Sequence, residues 1–130
     1  MRRRSTPLIA AVILAAGCGN PVHNHYSVKA TTPCLKKLGY GVSDASHLGP
    51  IESSAPEGAI VAREKGNAVV ISFGSNDREA ANIKRGYRRF ASRKLRPHLD
   101  DVMLSQKNAV LRRTVTPPRD ELDRVLGCLR

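Results

Sequence analysis

The chain has 130 residues and a mass of 14.2 kDa, which leaves room for one small domain. Lys and Arg number 22 against 11 for Asp and Glu, a formal net charge of +11 at pH 7, and 41% of the residues are hydrophobic. These figures exclude a multidomain enzyme, a long coiled coil and a polytopic membrane protein, and they argue against a wholly disordered chain.

An export signal is predicted at the N-terminus. Arg2, Arg3 and Arg4 form a basic head, and an uncharged apolar run of ten residues follows at 7–16. That run is too short for a membrane-spanning helix, which needs roughly 20 residues. A basic head, a short apolar body and small residues at the exit are typical of a secretory signal peptide, and a stable transmembrane anchor fits this pattern less well.

The end of this segment, Leu14-Ala15-Ala16-Gly17-Cys18, resembles the lipobox of bacterial lipoproteins. The resemblance implies cleavage between Gly17 and Cys18 and attachment of a diacylglyceryl group, with palmitate-type acyl chains, to Cys18. Lipoboxes usually have Leu three positions before the cysteine, where this chain has Ala15. The alternative is ordinary cleavage after a small residue, which leaves Cys18 as a free or paired thiol. Two or more acyl chains hold a protein to a bilayer, where one does so only marginally.

Three segments follow from this interpretation: a signal peptide at 1–17, a polar tether at 18–25 and a single domain at 26–130. The mature protein is expected at the cell membrane, lipid-anchored on its extracytoplasmic side, as part of the cell envelope. His23 and His25 provide the only metal-like spacing. Two ligands in a tether fall short of the four that structural sites usually have, so we predict no metal and no cofactor.

The cysteine count predicts one disulfide. Three cysteines in an exported chain leave one over if two of them pair, and Cys18 as the lipid attachment site leaves Cys34 and Cys128. A bond between them would tie the ends of the domain together, and loop closure of that length is worth about 4 to 5 kcal/mol. Two separately buried thiols are the alternative. No CxxC motif is present, so no metal-binding or redox pair is predicted.

Hydrophobic periodicity predicts seven elements in the order strand, helix, strand, strand, helix, strand, helix. The fifth element begins with Asn76 and Glu79, which resemble a capping box. The fourth element is nearly continuous in apolar residues, which predicts a central strand. Between the second and third elements, residues 41–58 are predicted to form a loop with a weak strand at Val42 or Ile51. The seven elements lie at 26–30, 33–38, 59–63, 68–73, 76–96, 109–115 and from 116 onward.

The predicted fold class is α+β. The first six elements match a ferredoxin-like βαββαβ layout, in which helices pack on one face of a small antiparallel sheet, and a C-terminal helix is added to it. The longest helix is expected to bury one face, marked by apolar residues at steps of three and four. These are Ala80, Ile83, Tyr87, Phe90 and either Lys94 or Leu95.

Basic residues are concentrated on that helix, with eight of them and one acidic residue between Arg78 and Arg96. They favour a docking surface for an anionic lipid, a wall polymer or an acidic protein, and the alternative is a solvated outer face. Nucleic acid is not a predicted partner, because Tyr87 and Phe90 are expected to be buried and because export removes access to it. The exposed ridge is expected to comprise Lys84, Arg85, Arg88, Arg89, Arg93 and Arg96.

No catalytic motif is recognisable. The turn at 74–77 lacks the glycine spacing of nucleotide-binding loops, and residues 44–47 contain the residue types of a hydrolytic triad within a single loop. We therefore predict a binding or structural role without catalysis. The alternative is a small exported enzyme or enzyme subunit whose site is assembled from scattered residues such as His47, His98 and Asp100. A third hypothesis is a structural lipoprotein without a specific ligand.

Overall fold

An antiparallel sheet of five strands organises residues 25–130, the part of the chain that the computed structural model describes. The predicted signal peptide, Cys18 and the tether up to residue 24 lie outside the described residues. The strands are β1 (Gly41–Asp44), β2 (Ala59–Glu64), β3 (Asn67–Phe73), β4 (Met103–Gln106) and β5 (Ala109–Arg113). The helices are α1 (Val28–Lys37), α2 (Pro50–Ser53), α3 (Asp77–Phe90), α4 (Leu99–Val102) and α5 (Arg119–Leu126), with a 3-10 turn at Arg96–His98.

The strand order is β1-β2-β3-β5-β4, with every neighbouring pair antiparallel. Ile71 of β3 lies opposite Ile60 of β2 on one side and Leu111 of β5 on the other. The prediction that this apolar strand is central is confirmed. Because both of its faces are covered, its side chains show no alternation between apolar and polar residues.

Helices cover both faces of the sheet. Ile60, Ile71 and Leu111 point to one face and pack with residues of α1 and α5. Val110 and Met103 point to the other face and pack with the buried side of α3. The predicted α+β class with an antiparallel sheet is confirmed, whereas the prediction that all helices lie on one face is wrong. Strand periodicity alone could not reveal this, since the central strands are apolar on both sides.

The predicted βαββαβ order is wrong in its first element, because the predicted strand at 26–30 overlaps the start of α1, Val28–Lys37. Ser27 caps this helix, and its hydroxyl accepts a hydrogen bond from the Ala30 N–H. Pro33, the first residue of the predicted helix at 33–38, lies inside α1 at an exposed position. The first strand lies instead at Gly41–Asp44, so the alternative of a weak strand at Val42 is confirmed, and Ile51 belongs to α2.

Helix α3 begins where the capping box predicts but ends earlier than expected. The Asn76 side chain accepts a hydrogen bond from the Glu79 N–H at 3.0 Å. At the other end, Ala91 is extended and the chain turns away, with the Ser92 hydroxyl accepting a bond from the Leu95 N–H. Ala80, Ile83 and Tyr87 are buried as predicted. The predicted burial of Phe90 and of Lys94 or Leu95 is wrong: Phe90 is exposed as the last residue of α3, and Lys94 and Leu95 are exposed beyond its end.

A disulfide joins Cys34 of α1 to Cys128, two residues after α5, with an S–S distance of 2.02 Å and a Cα–Cα distance of 5.3 Å. Hydrogen bonds lie beside it: the Ser27 N–H donates to the Arg130 carbonyl at 2.7 Å, and the Thr31 hydroxyl donates to the same carbonyl at 3.3 Å. The two ends of the described chain are therefore held together by one covalent bond and by backbone and side-chain hydrogen bonds.

Candidate functional site

The sheet covers one side of α3, and the basic residues of the helix form a surface on its other sides. Because Ala80, Ile83 and Tyr87 are buried, the remaining positions face away from the core. The helix also places its charges favourably, with acidic residues in the first turn and Arg88 and Arg89 in the last, where they complement the helix dipole. The six residues of the predicted ridge lie outside the core: Lys84 is half-buried, and Arg85, Arg88, Arg89, Arg93 and Arg96 are exposed.

Three of these residues line an open trough of about 400 Å³ between α3 and the β4 side of the sheet. Lys84, Arg85 and Arg88 come from the helix, and Lys107 comes from the turn between β4 and β5. Asp77 is the acidic residue in its lining. Sequence reasoning missed Lys107, because only the pairing of β4 with β5 carries that turn to the side of α3. The trough therefore presents four cationic side chains and one carboxylate.

Most of the charge in this trough is not neutralised. Arg88 Nη2 donates to Asp100 Oδ1 at 2.7 Å, and this hydrogen bond lowers the pKa of the Asp100 carboxyl. Among residues 25–130, Lys84, Arg85 and Lys107 form no ion pair within 4.0 Å. Arg85 donates a hydrogen bond to the Asn82 side-chain oxygen, and the Lys107 ammonium lies 5.2 Å from the Tyr26 ring centroid. These partners are neutral, so an anionic ligand would meet three cations whose charge no carboxylate of residues 25–130 neutralises.

The predicted ridge divides into two parts, because Arg89 and Arg93 do not line the trough. They lie near the end of α3, beside a second groove of about 320 Å³ whose lining includes Leu48, Phe90 and Leu95. The Arg89 guanidinium lies 6.0 Å from the centroid of the Phe90 ring. One stretch of basic sequence therefore forms two surfaces, one polar and one partly apolar.

A buried polar network forms the floor of this second groove. The carboxylate of Glu52, 4% exposed, accepts hydrogen bonds from the Tyr87 hydroxyl at 2.9 Å and from Arg112 Nη2 at 3.2 Å. The Tyr87 hydroxyl also lies 3.1 Å from the Ser72 hydroxyl, and Arg112 stacks 5.1 Å from the Tyr87 ring centroid. This network fastens α2 to the sheet and to α3, because each of its partners comes from a different element.

Tyr87 makes this network sensitive to alkaline pH. Burial is the main cause that raises its pKa from 10.0 to about 12. The unfolded chain loses the phenol proton first, so the stability from neutral Tyr87 is complete below pH 10 and is lost as pH rises towards 12. A rise of that size corresponds to about 2 to 3 kcal/mol. We expect urea unfolding to show a steeper fall in stability over this range for the natural chain than for Y87F, and equal slopes would contradict it.

Each residue of the enzymatic alternative lies beside a charged neighbour outside that set. His47 lies 3.9 Å from Asp44, His98 lies 3.8 Å from Asp101, and Asp100 pairs with Arg88. In the loop at 44–47, the Asp44 carboxylate accepts a hydrogen bond from the Ser46 hydroxyl and is also the neighbour of His47. A catalytic triad places the histidine between the hydroxyl and the carboxylate, so this loop has a different order.

The turn at 74–77 is occupied by internal contacts. The Gly74 N–H donates to the Asn108 carbonyl at 2.7 Å, and the buried Asn108 amide donates back to the Gly74 carbonyl at 2.8 Å. A Cβ at Gly74 would lie 2.7 Å from the Glu79 Cβ, which explains the glycine. The Asn76 side chain is engaged as the α3 cap. This turn positions the helix and leaves the Gly74 amide unavailable to an outside anion.

Over residues 25–130, no group of three or more His, Cys, Asp or Glu side chains is arranged to hold a metal ion. Within the same range, no helix has the length and apolar character needed to span a membrane. Comparison of the chain with family models, curated proteins and solved structures gives no match. The fold and the charged surface define a small disulfide-linked α+β domain with a cationic trough along its longest helix.

Proposed function

We propose that this protein is a lipid-anchored component of the cell envelope whose domain binds a polyanionic partner in the trough between α3 and β4, without catalysis. The observation that carries the proposal is the convergence of Lys84, Arg85, Arg88 and Lys107 on one open trough. Cations from two separate parts of the chain face the same space. A solvated outer face of a helix would not require the contribution from the β4–β5 turn.

The location rests on the N-terminal sequence. The resemblance of residues 14–18 to a lipobox supports acylation of Cys18 and retention at the membrane on the extracytoplasmic side. The bond between Cys34 and Cys128 is compatible with this location, because disulfides persist in oxidising compartments outside the cytoplasm. The predicted tether, 18–25, would separate the domain from the bilayer and leave the trough accessible.

The shape and charge of the trough favour an extended partner. The trough is open, and its charged lining offers ammonium and guanidinium donors that suit phosphate or carboxylate oxygens. Among the described residues, Lys84 and Arg85 form no ion pair within 4.0 Å, so no internal carboxylate there offsets their attraction for a ligand. A wall polymer that bears repeated phosphate or carboxylate groups has this chemistry.

Charge reversal in the trough is expected to abolish binding to long-chain polyphosphate, used as the probe. For K84E/R85E, the dissociation constant measured by calorimetry at low salt should rise at least tenfold, because two attractive contacts become repulsive. A tenfold rise corresponds to about 1.4 kcal/mol. Binding by the natural chain should itself weaken as salt is added, since the screening length falls from about 10 Å at 0.1 M to 3 Å at 1 M.

K36E/K37E provides the matched control, because it makes the same change in net charge on α1, which packs on the other face of the sheet. It should bind polyphosphate almost as well as the natural chain. An equal loss in the two variants would show that only net charge matters, and the proposed site would be rejected. Arg88 is left unchanged in this design because its pairing with Asp100 has a structural role.

A further inference from the structure

Three large apolar side chains are exposed around the groove at the end of α3. Phe90 is 67% exposed, and Leu48 and Leu95 are each 41% exposed. All three line the same groove, together with Ile51 and residues of the buried network. Single exposed apolar residues are common on protein surfaces, but three around one groove indicate a contact surface. We call these three residues the apolar cluster.

The apolar cluster is held on a rigid base. Ile51 packs so closely on α3 that a Cβ at Gly86 would lie 2.6 Å from its Cδ1 atom. Phe90 is the last residue of α3, and Leu95 is fixed by the hydrogen bond from its N–H to the Ser92 hydroxyl at 3.2 Å. Elements beneath them are already packed against the sheet, so these side chains remain at the surface.

The chain around the apolar cluster is strongly basic. Between residues 88 and 96 there are five basic residues and no acidic residue. Of these, only Arg88 pairs with a carboxylate among the described residues. Arg96 Nη2 donates to the Ala91 carbonyl at 3.1 Å, which braces the turn after α3. The five residues, all exposed, are Arg88, Arg89, Arg93, Lys94 and Arg96.

We propose that the apolar cluster inserts into the headgroup region of a bilayer that contains anionic phospholipid, while the surrounding cations contact the lipid phosphates. An aromatic and two leucines within a set of Lys and Arg side chains is the composition of surfaces that lie at the membrane interface. The long basic side chains can extend towards phosphates while their stems cover apolar surface.

This inference takes one premise from the proposed function, namely that the lipid anchor keeps a bilayer close to the domain. A tether of eight residues, 18–25, spans at most about 28 Å when it is extended. The domain therefore begins within about 28 Å of the membrane that holds the anchor. The trough that holds Lys84 and Lys107 is a separate cavity from this groove, so the two surfaces can act at the same time.

The experiment uses the fact that the chain contains no tryptophan. F90W introduces a single fluorescent reporter at the centre of the apolar cluster. The full-length protein is purified from its native membrane and reconstituted into vesicles of phosphatidylglycerol and phosphatidylcholine with brominated acyl chains. We expect the emission to shift to the blue and to lose at least half of its intensity, with a much smaller change in vesicles of phosphatidylcholine alone.

V115W is the matched control, because Val115 is 52% exposed and does not line the groove. Its emission should remain that of tryptophan in water. F90W/R93E/K94E should lose most of the quenching seen with F90W, because two headgroup contacts become repulsive. Equal quenching of F90W and V115W, equal quenching on neutral and anionic vesicles, or no quenching of F90W would each overturn the inference, and an acidic protein would then be the next partner to test.

The intact mass of the same preparation tests the anchor separately. If the chain begins at Cys18 and carries acyl chains but F90W is not quenched, the anchor stands and membrane docking by this surface fails. If no acyl chain is found but F90W is quenched when the protein is added to anionic vesicles, the docking stands and the anchor fails. The two proposals are thus distinguished by independent measurements on one sample.

Discussion

Replacing Cys34 and Cys128 together by alanine is expected to lower the free energy of unfolding by about 4 to 5 kcal/mol. The two residues are 94 positions apart, so the disulfide removes a large part of the conformational freedom of the unfolded chain. Small domains are stable by only about 5 to 15 kcal/mol in total. Urea unfolding of C34A/C128A beside the natural chain provides the measurement, and we expect a variant that is largely unfolded at moderate urea.

Reducing the disulfide of the natural chain distinguishes the stability due to the cross-link from the stability due to side-chain packing. Cys128 is 1% exposed in the core beneath α1 and α5, so alanine at this position also removes buried contacts. The reduced natural chain keeps its sulfur atoms and should still lose most of the stability that C34A/C128A loses. A loss below about 1 kcal/mol in both samples would contradict the entropic role of this bond.

Replacing Glu121 by leucine is expected to cost about 3 to 5 kcal/mol, because it leaves a buried guanidinium without its counter-charge. Arg113 is 4% exposed, and its Nη1 atom donates to the Glu121 carboxylate at 3.0 Å. The same carboxylate accepts bonds from Asn67 Nδ2 at 2.9 Å and from the Tyr40 hydroxyl at 3.2 Å. E121L therefore removes the acceptor shared by three side chains.

The double variant R113M/E121L provides the decisive comparison. Removal of both charges leaves no unpaired guanidinium, and only the neutral Asn67 amide and Tyr40 hydroxyl lose their acceptor. In other proteins, apolar residues in place of a buried ion pair are often as stable as the pair. We expect R113M/E121L to recover most of the stability that E121L loses, so that the double-mutant cycle gives a large coupling energy. If the double variant were as unstable as E121L, packing at these positions and not the unpaired charge would account for the loss.

Arg112 and Arg113 show why the polar core was not predictable from the sequence. They are consecutive on β5, so their side chains point to opposite faces of the sheet. Each holds a carboxylate on its own face, Glu52 of α2 for Arg112 and Glu121 of α5 for Arg113. As a sequence, two adjacent arginines indicate a solvated position. Only the presence of helices on both faces makes Arg113 a buried and Arg112 a half-buried partner of these carboxylates.

The predictable parts of the fold are those determined by local sequence. The capping box at Asn76 located the start of α3, and the long apolar run located the central strand. The end of α3 depends instead on what its last turn meets, so periodicity extended the apolar stripe to Phe90 incorrectly. The start of α1 was misjudged because five residues at 26–30 fit the alternation of a strand as well as a capped helical turn.

The candidate site was predictable to a similar degree. The position of Lys84, Arg85 and Arg88 outside the core followed from the apolar stripe of their own helix, which local sequence encodes. The contribution of Lys107 depends on the register of the β4–β5 hairpin, which local sequence does not encode. The separation of Arg89 from the trough likewise depends on packing between elements.

The disulfide between the two ends of the domain also determines how the domain would respond to a pulling force. In an anchored protein, tension on the tether enters at Ser27 and α1, where Cys34 is bonded to Cys128. The covalent bond passes this force directly to the residues that follow α5. A pull through the proposed anchor therefore cannot detach α1 beyond Cys34, because the oxidised disulfide holds that residue to the end of the domain.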